Sequence, residues 1–97
     1  MPSFLVRVEI HNSEEFDYDL LHDLLENIGL DRTIALDDGN YWLPDGTYQG
    51  DFDLDERAVA QAVKAEIIKT REEAGVIVTE LSQRATFFGL IRFPKDH

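Results

Sequence analysis

Cysteine is absent from this chain, which excludes disulfide staples, thiolate zinc sites and a cysteine nucleophile and leaves packing as the source of stability. Basic residues are scarce in one long stretch. Between His11 and Glu56 a single guanidinium, Arg32, stands against fourteen carboxylates, a net of −13, while the remaining residues carry eight basic and six acidic groups. A field of that sign repels phosphate backbones and attracts cations or basic protein surfaces, so DNA is excluded as a partner. Proline occurs three times only. No apolar run approaches the ~20 residues that span a bilayer, and the N-terminus lacks a basic patch followed by a long hydrophobic stretch. The chain therefore reads as cytoplasmic and soluble, with no membrane contact. Catalytic signatures are missing too: there is no Ser-His-Asp spacing and no P-loop, and Gly39, Gly46 and Gly50 are spaced as turn residues. No cofactor is implied.

Apolar material is plentiful by contrast. With 97 residues, 43% of them hydrophobic, the chain offsets its conformational entropy despite its charge and forms one domain over residues 1–97. Phe4, Val6, Val8 and Ile10 alternate with Leu5, Arg7, Glu9 and His11, the period of a half-buried strand. The period then lengthens: Phe16, Leu20, Leu21, Leu24, Leu25 and Ile28 fall at helical spacing, with Gly29 as a stop. Glu14, Glu15, Asp17 and Asp19 suit the dipole of that helix's opening turn.

Two β-prone runs, Thr33 to Leu36 and Tyr41 to Leu43, flank Asp37-Asp38-Gly39-Asn40 and predict a hairpin. Pro44 and Asp45-Gly46 turn the chain again, so Thr47 to Phe52 reads as a continuation or an edge strand. Asp53, with Glu56 three residues on, or equally Asp55, caps a second helix whose stripe is Val59, Ala62, Val63 and Ile67 and which Gly75 ends. Val76 to Leu81 predicts a strand, and Thr86 to Phe93 a further extended segment broken at Gly89. The order β-α-β-β-α-β is the split βαβ, or ferredoxin-like, pattern: an α+β fold with two helices on one face of an antiparallel sheet and an optional extra C-terminal strand. Such a sheet leaves one face open. Phe87, Phe88, Leu90, Ile91 and Phe93 are too many apolar groups for one small edge to hide, which predicts a homodimer.

Several residues suggest chemistry. Arg7 and Arg32 are the candidates for gripping a phosphate or carboxylate, or else they neutralise acids such as Glu9 and Asp31. His11 and His22, if they met Asp17 or Glu9, would hold a metal or move a proton near neutral pH, and otherwise are surface residues. The run Asp51-Phe52-Asp53-Leu54-Asp55-Glu56 alternates carboxylates like a calcium loop, but Glu56 stands where an EF-hand needs glycine and Ala62 where it needs glutamate. A looser cation site joined by Asp45, or a solvated face with a helix cap, is left. Tyr41, Trp42, Tyr48 and Phe52 have the stacking surfaces of RNA-binding sheets without the basic residues, so they point to core filling or a protein interface. The interface set is Trp42, Tyr48, Phe87, Phe88 and Phe93.

Taken in order, Arg7-Val8-Glu9-Ile10-His11, Asp17-Tyr18 with Leu21-His22, Gly29 with Arg32-Thr33-Ile34, and Gly39 with Tyr41, Leu43-Pro44 and Tyr48 carry a likeness. Over its first half, with a weaker match at Val76 to Glu80, the chain resembles a family of small prophage-associated bacterial proteins of unassigned function related to the antitoxin GhoS. That resemblance implies a ferredoxin-like fold, similar to the small CRISPR-adaptation nuclease subunits, and by analogy an endoribonuclease acting on a toxin message. No catalytic residue is carried across position by position. Two functions from different classes are therefore expected: a regulatory module, antitoxin-like or a phage modulator, that binds a basic protein surface, and a metal-assisted endoribonuclease that binds RNA.

Overall fold

The computed structural model describes residues 2–11, 18–36, 38–70, 73–81 and 89–90, together with the backbone of 92–93. Within them the protein is a small α+β structure. Strand β1 (Ser3–Ile10) lies at the centre of a three-stranded antiparallel sheet. Its alternation has the predicted consequence: Phe4, Val6, Val8 and Ile10 are buried, while Arg7, Glu9 and His11 are exposed. Helices α1 (Tyr18–Asn27) and α2 (Glu56–Ile68) cover the buried face, where Leu21, Leu25, Val59, Val63 and Ile67 join the β1 side chains, Leu30 and Tyr48 in one core. No helix among the described residues is long and apolar enough to cross a membrane.

The hairpin forms as expected. Strands β2 (Thr33–Leu36) and β3 (Gly39–Trp42) pair antiparallel, with Leu36 opposite Gly39 at a φ of 144°. It does not supply the central neighbours of β1, however. It forms a second sheet with β6 (Arg92–Phe93), the small described portion of the expected Thr86 to Phe93 segment. The place beside β1 is taken by β4 (Thr47–Asp51), paired from Ser3↔Asp51 to Arg7↔Thr47. On the other flank β5 (Ala74–Leu81) pairs over all eight residues of β1. β4 ends the three-stranded order, as one of the two expected readings had it, and on its far side a single bridge joins Asp31 and Gln49 through two backbone hydrogen bonds of 2.8 Å. What draws it to β1 is Tyr48, which is wholly buried, and the turn before it, where Gly46 (φ 78°) lies so near the Val8 carbonyl that a Cβ there would approach its oxygen to 2.6 Å.

Two helix expectations need correction, and one open alternative is resolved. Leu20, placed in the apolar stripe of α1, is 47% exposed, because the helix buries only the line through Leu21 and Leu25. Of the two caps the sequence offers for α2, Asp55 serves, its Oδ1 accepting the Ala58 N–H at 2.8 Å. Gly75 does not end α2. The helix stops at Ile68, Thr70 closes it by donating its N–H and hydroxyl to the Ile67 carbonyl, and Gly75 sits within β5 opposite Glu9. Gly29 does end α1, at a φ of 97°.

Candidate functional site

Because β4 starts at Thr47, β1 runs three residues beyond its partner on that side. Its exposed backbone donors find other acceptors there: Val8 N–H donates to the Gly46 carbonyl at 2.7 Å, and Ile10 N–H to the Tyr18 hydroxyl at 3.3 Å. A groove of about 560 Å³ opens at this step. Four segments line it. Strand β1 contributes Arg7 and Glu9, helix α1 contributes Tyr18, Asp19 and His22, the approach to β2 contributes Arg32, and the turn into β4 contributes Asp45.

Local structure sets each group. Tyr18 and His22 are one helical turn apart and face the same way, with ring centroids 6.3 Å from each other. The Arg32 guanidinium lies 5.0 Å over the Trp42 ring, a cation–π contact, and its carbonyl accepts the Leu43 N–H at 2.7 Å, which clips the approach to the hairpin's return strand. Below the groove floor His22 Nδ1 and the Tyr48 hydroxyl are 2.7 Å apart. Burial pushes the Tyr48 phenol well above its ordinary range, so it stays protonated. Burial and then the Arg32 charge push the His22 imidazole down, against Asp19, Asp45 and Asp23. This hydrogen bond thus joins two neutral groups near pH 7, and it ties the groove to the core.

Arg7, Arg32 and His22, flagged separately in the sequence, are therefore brought to one place. Their surroundings are of mixed sign, since Glu9, Asp19 and Asp45 share the lining. His11 is not with His22. It follows Ile10 at the same end of β1 but on the β5 flank, where its N–H donates to the Glu73 carbonyl at 2.9 Å, and it borders a separate, more apolar cavity of about 540 Å³ with Lys64, Ile67 and Ile68. The expected His11–His22 site is thus not assembled, and Asp17 lies outside the described residues. Along the acidic run Asp51 accepts from Ser3 and Gln49, and Asp55 is occupied as the α2 cap. Among the described residues no group of three or more His, Asp or Glu is placed to hold a metal ion.

Of the expected interface residues, Tyr48 belongs to the core and is inaccessible to a partner. Trp42 is half-buried under Arg32. Phe87 and Phe88 lie outside the described residues, and Phe93 is described by its backbone in β6 alone. Sequence reasoning missed Tyr18, Asp19 and Glu9 as parts of an arginine-bearing groove. One signal was present, the four-residue spacing of Tyr18 and His22 on a helix that follows the Arg7–Glu9 strand. Compared with models of known protein families the chain matches none, and a comparison with curated proteins finds no significant match, so the likeness to the GhoS-related family rests on the residues quoted for it.

Proposed function

We propose that this chain is a regulatory recognition module, antitoxin-like or a phage modulator, that binds a basic surface on another protein. One observation carries the reading. All ten described acids of the His11–Glu56 span, from Asp19 and Asp23 on α1 to Asp55 and Glu56 at the start of α2, are solvent-exposed. Their charge is therefore spent outward, over loops, a hairpin and two helix ends, rather than on buried pairs. Such a surface accelerates encounter with a positive partner and disfavours polynucleotides. The order β5-β1-β4, continued by the Asp31–Gln49 bridge, supports reading the layer as the ferredoxin-like split βαβ, the fold the GhoS-related likeness implies. A homodimer is part of the proposal; the exposed face of β5, where Ile77 is 67% exposed, is available to it.

A second reading draws on the groove. Arg7 and Arg32 in one concavity with His22 could hold a phosphate and move a proton, which favours the metal-assisted endoribonuclease, in which carboxylates hold the divalent ion. The low count of basic residues weighs against it. Immobilised protein exposed to a bacterial lysate separates the two readings: the recognition module retains proteins of basic character that elute as salt rises. Retention indifferent to ionic strength, or none, defeats that reading. Incubation with a mixed RNA pool, with magnesium, with manganese and with chelator, tests the enzyme, which intact RNA in every condition removes.

A further inference from the structure

The groove at the end of β1 has a charge pattern that a single-sign ligand cannot satisfy. Its cations are Arg7 and Arg32, its anions Glu9, Asp19 and Asp45, and its uncharged polar groups include the His22 imidazole. A phosphate-like ligand meets three carboxylates there. A simple organic cation meets two guanidinium groups. A molecule bearing both signs at close quarters complements a lining of both signs, and three carboxylates to two guanidinium groups favour a ligand with a net positive charge. At about 560 Å³ the space falls in the range of small-molecule sites. Arg32 is held in place by the Trp42 ring, and a planar guanidinium fixed in that way suits bidentate capture of a carboxylate. The protein's overall charge of −11 draws the same class of ligand by long-range attraction.

We infer that this groove binds a free basic α-amino acid of the arginine or lysine class, its carboxylate on Arg7 and Arg32 and its ammonium and side-chain cation on Glu9, Asp19 and Asp45. Such a site makes the protein responsive to a small metabolite. It goes beyond the protein-partner reading and stands or falls separately from it.

The test is an NMR titration of the intact protein that follows the His22 ring signals, with L-arginine as ligand and agmatine, L-citrulline and inorganic phosphate as controls. L-Arginine is expected to shift the signals saturably. Agmatine, which lacks the carboxylate, and citrulline, which lacks the side-chain charge, are expected to bind about tenfold or more weakly, a loss of roughly 1.4 kcal/mol each. Arg7→Ala and Glu9→Gln, both on the exposed face of β1, are expected to weaken L-arginine by a similar factor while melting at the wild-type temperature. Four results overturn the inference: no saturable shift with L-arginine by about 10 mM, equal binding of agmatine, a response to phosphate with none to L-arginine, or unchanged affinity in both folded variants.

Discussion

Tyr48 and His22 join the core to the groove, and their burial makes stability vary with pH. The buried phenol has its pKa raised from 10.0 in the folded state. Its contribution is therefore fully present below about pH 10 and lost as pH rises toward the folded value. His22 has its pKa lowered from 6.5, so its contribution is present above about pH 6.5 and lost as pH falls toward the folded value. Stability is expected to be greatest between these limits. Tyr48→Phe is expected to cost about 1 kcal/mol near neutral pH, the net worth of one hydrogen bond, and to flatten the alkaline decline. Urea denaturation at about pH 7, 9 and 11 reads both effects; an alkaline slope as steep in the variant as in the wild type contradicts the assignment. Thr47 makes the opposite case. It is 6% exposed and its hydroxyl has no hydrogen-bond partner among the described residues. The isosteric Thr47→Val is accordingly expected to be neutral or to stabilise by up to about 1 kcal/mol, and a loss larger than that shows that the hydroxyl is bonded after all.

Among the elements, β4 owes its place beside β1 to close backbone approach and to the single buried Tyr48 rather than to a recurring pattern of apolar side chains. A Cβ on Gly50 would meet the Gly29 carbonyl oxygen at 2.6 Å and the Phe52 ring at 2.8 Å. Gly50→Ala is expected to destabilise by about 1–3 kcal/mol, because a backbone atom must move. A thermal melt unchanged from wild type overturns that packing. The same contact explains what the sequence could not reveal. β1 and both helices were legible because their buried residues recur at periods of two or of three to four, the hairpin because two β-prone runs flank an Asp-Gly turn, and β5 because its run is rich in β-branched residues. In Thr47 to Asp51 one large apolar side chain, Tyr48, stands among small and polar ones, and its neighbour Gly50 is buried by a carbonyl, which leaves no period to read. The site was legible in its parts. Arg7, Arg32 and His22 stood out as rare cations and a helical histidine, yet their convergence depends on β4 starting three residues short of β1's end, and the separation of His11 from His22 on β1's turning toward Glu73 there.

At the scale of the molecule, charge decides. The ten exposed described acids of the His11–Glu56 span lie on α1, the hairpin, the turn into β4 and the start of α2, and Arg32, the one cation of that span, lines a groove that itself contains three carboxylates. A partner approaching this span therefore meets a surplus of negative charge, and its own charge determines whether it is admitted. Titrating the protein against two labelled probes, an arginine- and lysine-rich peptide and a single-stranded RNA of similar length, while following anisotropy at about 50, 150 and 500 mM salt, separates the alternatives. The expected result is binding of the peptide that weakens steeply as salt rises, with the RNA unbound and uncut throughout. RNA bound or cleaved at low salt, with the peptide indifferent, contradicts a surface built to meet a basic protein.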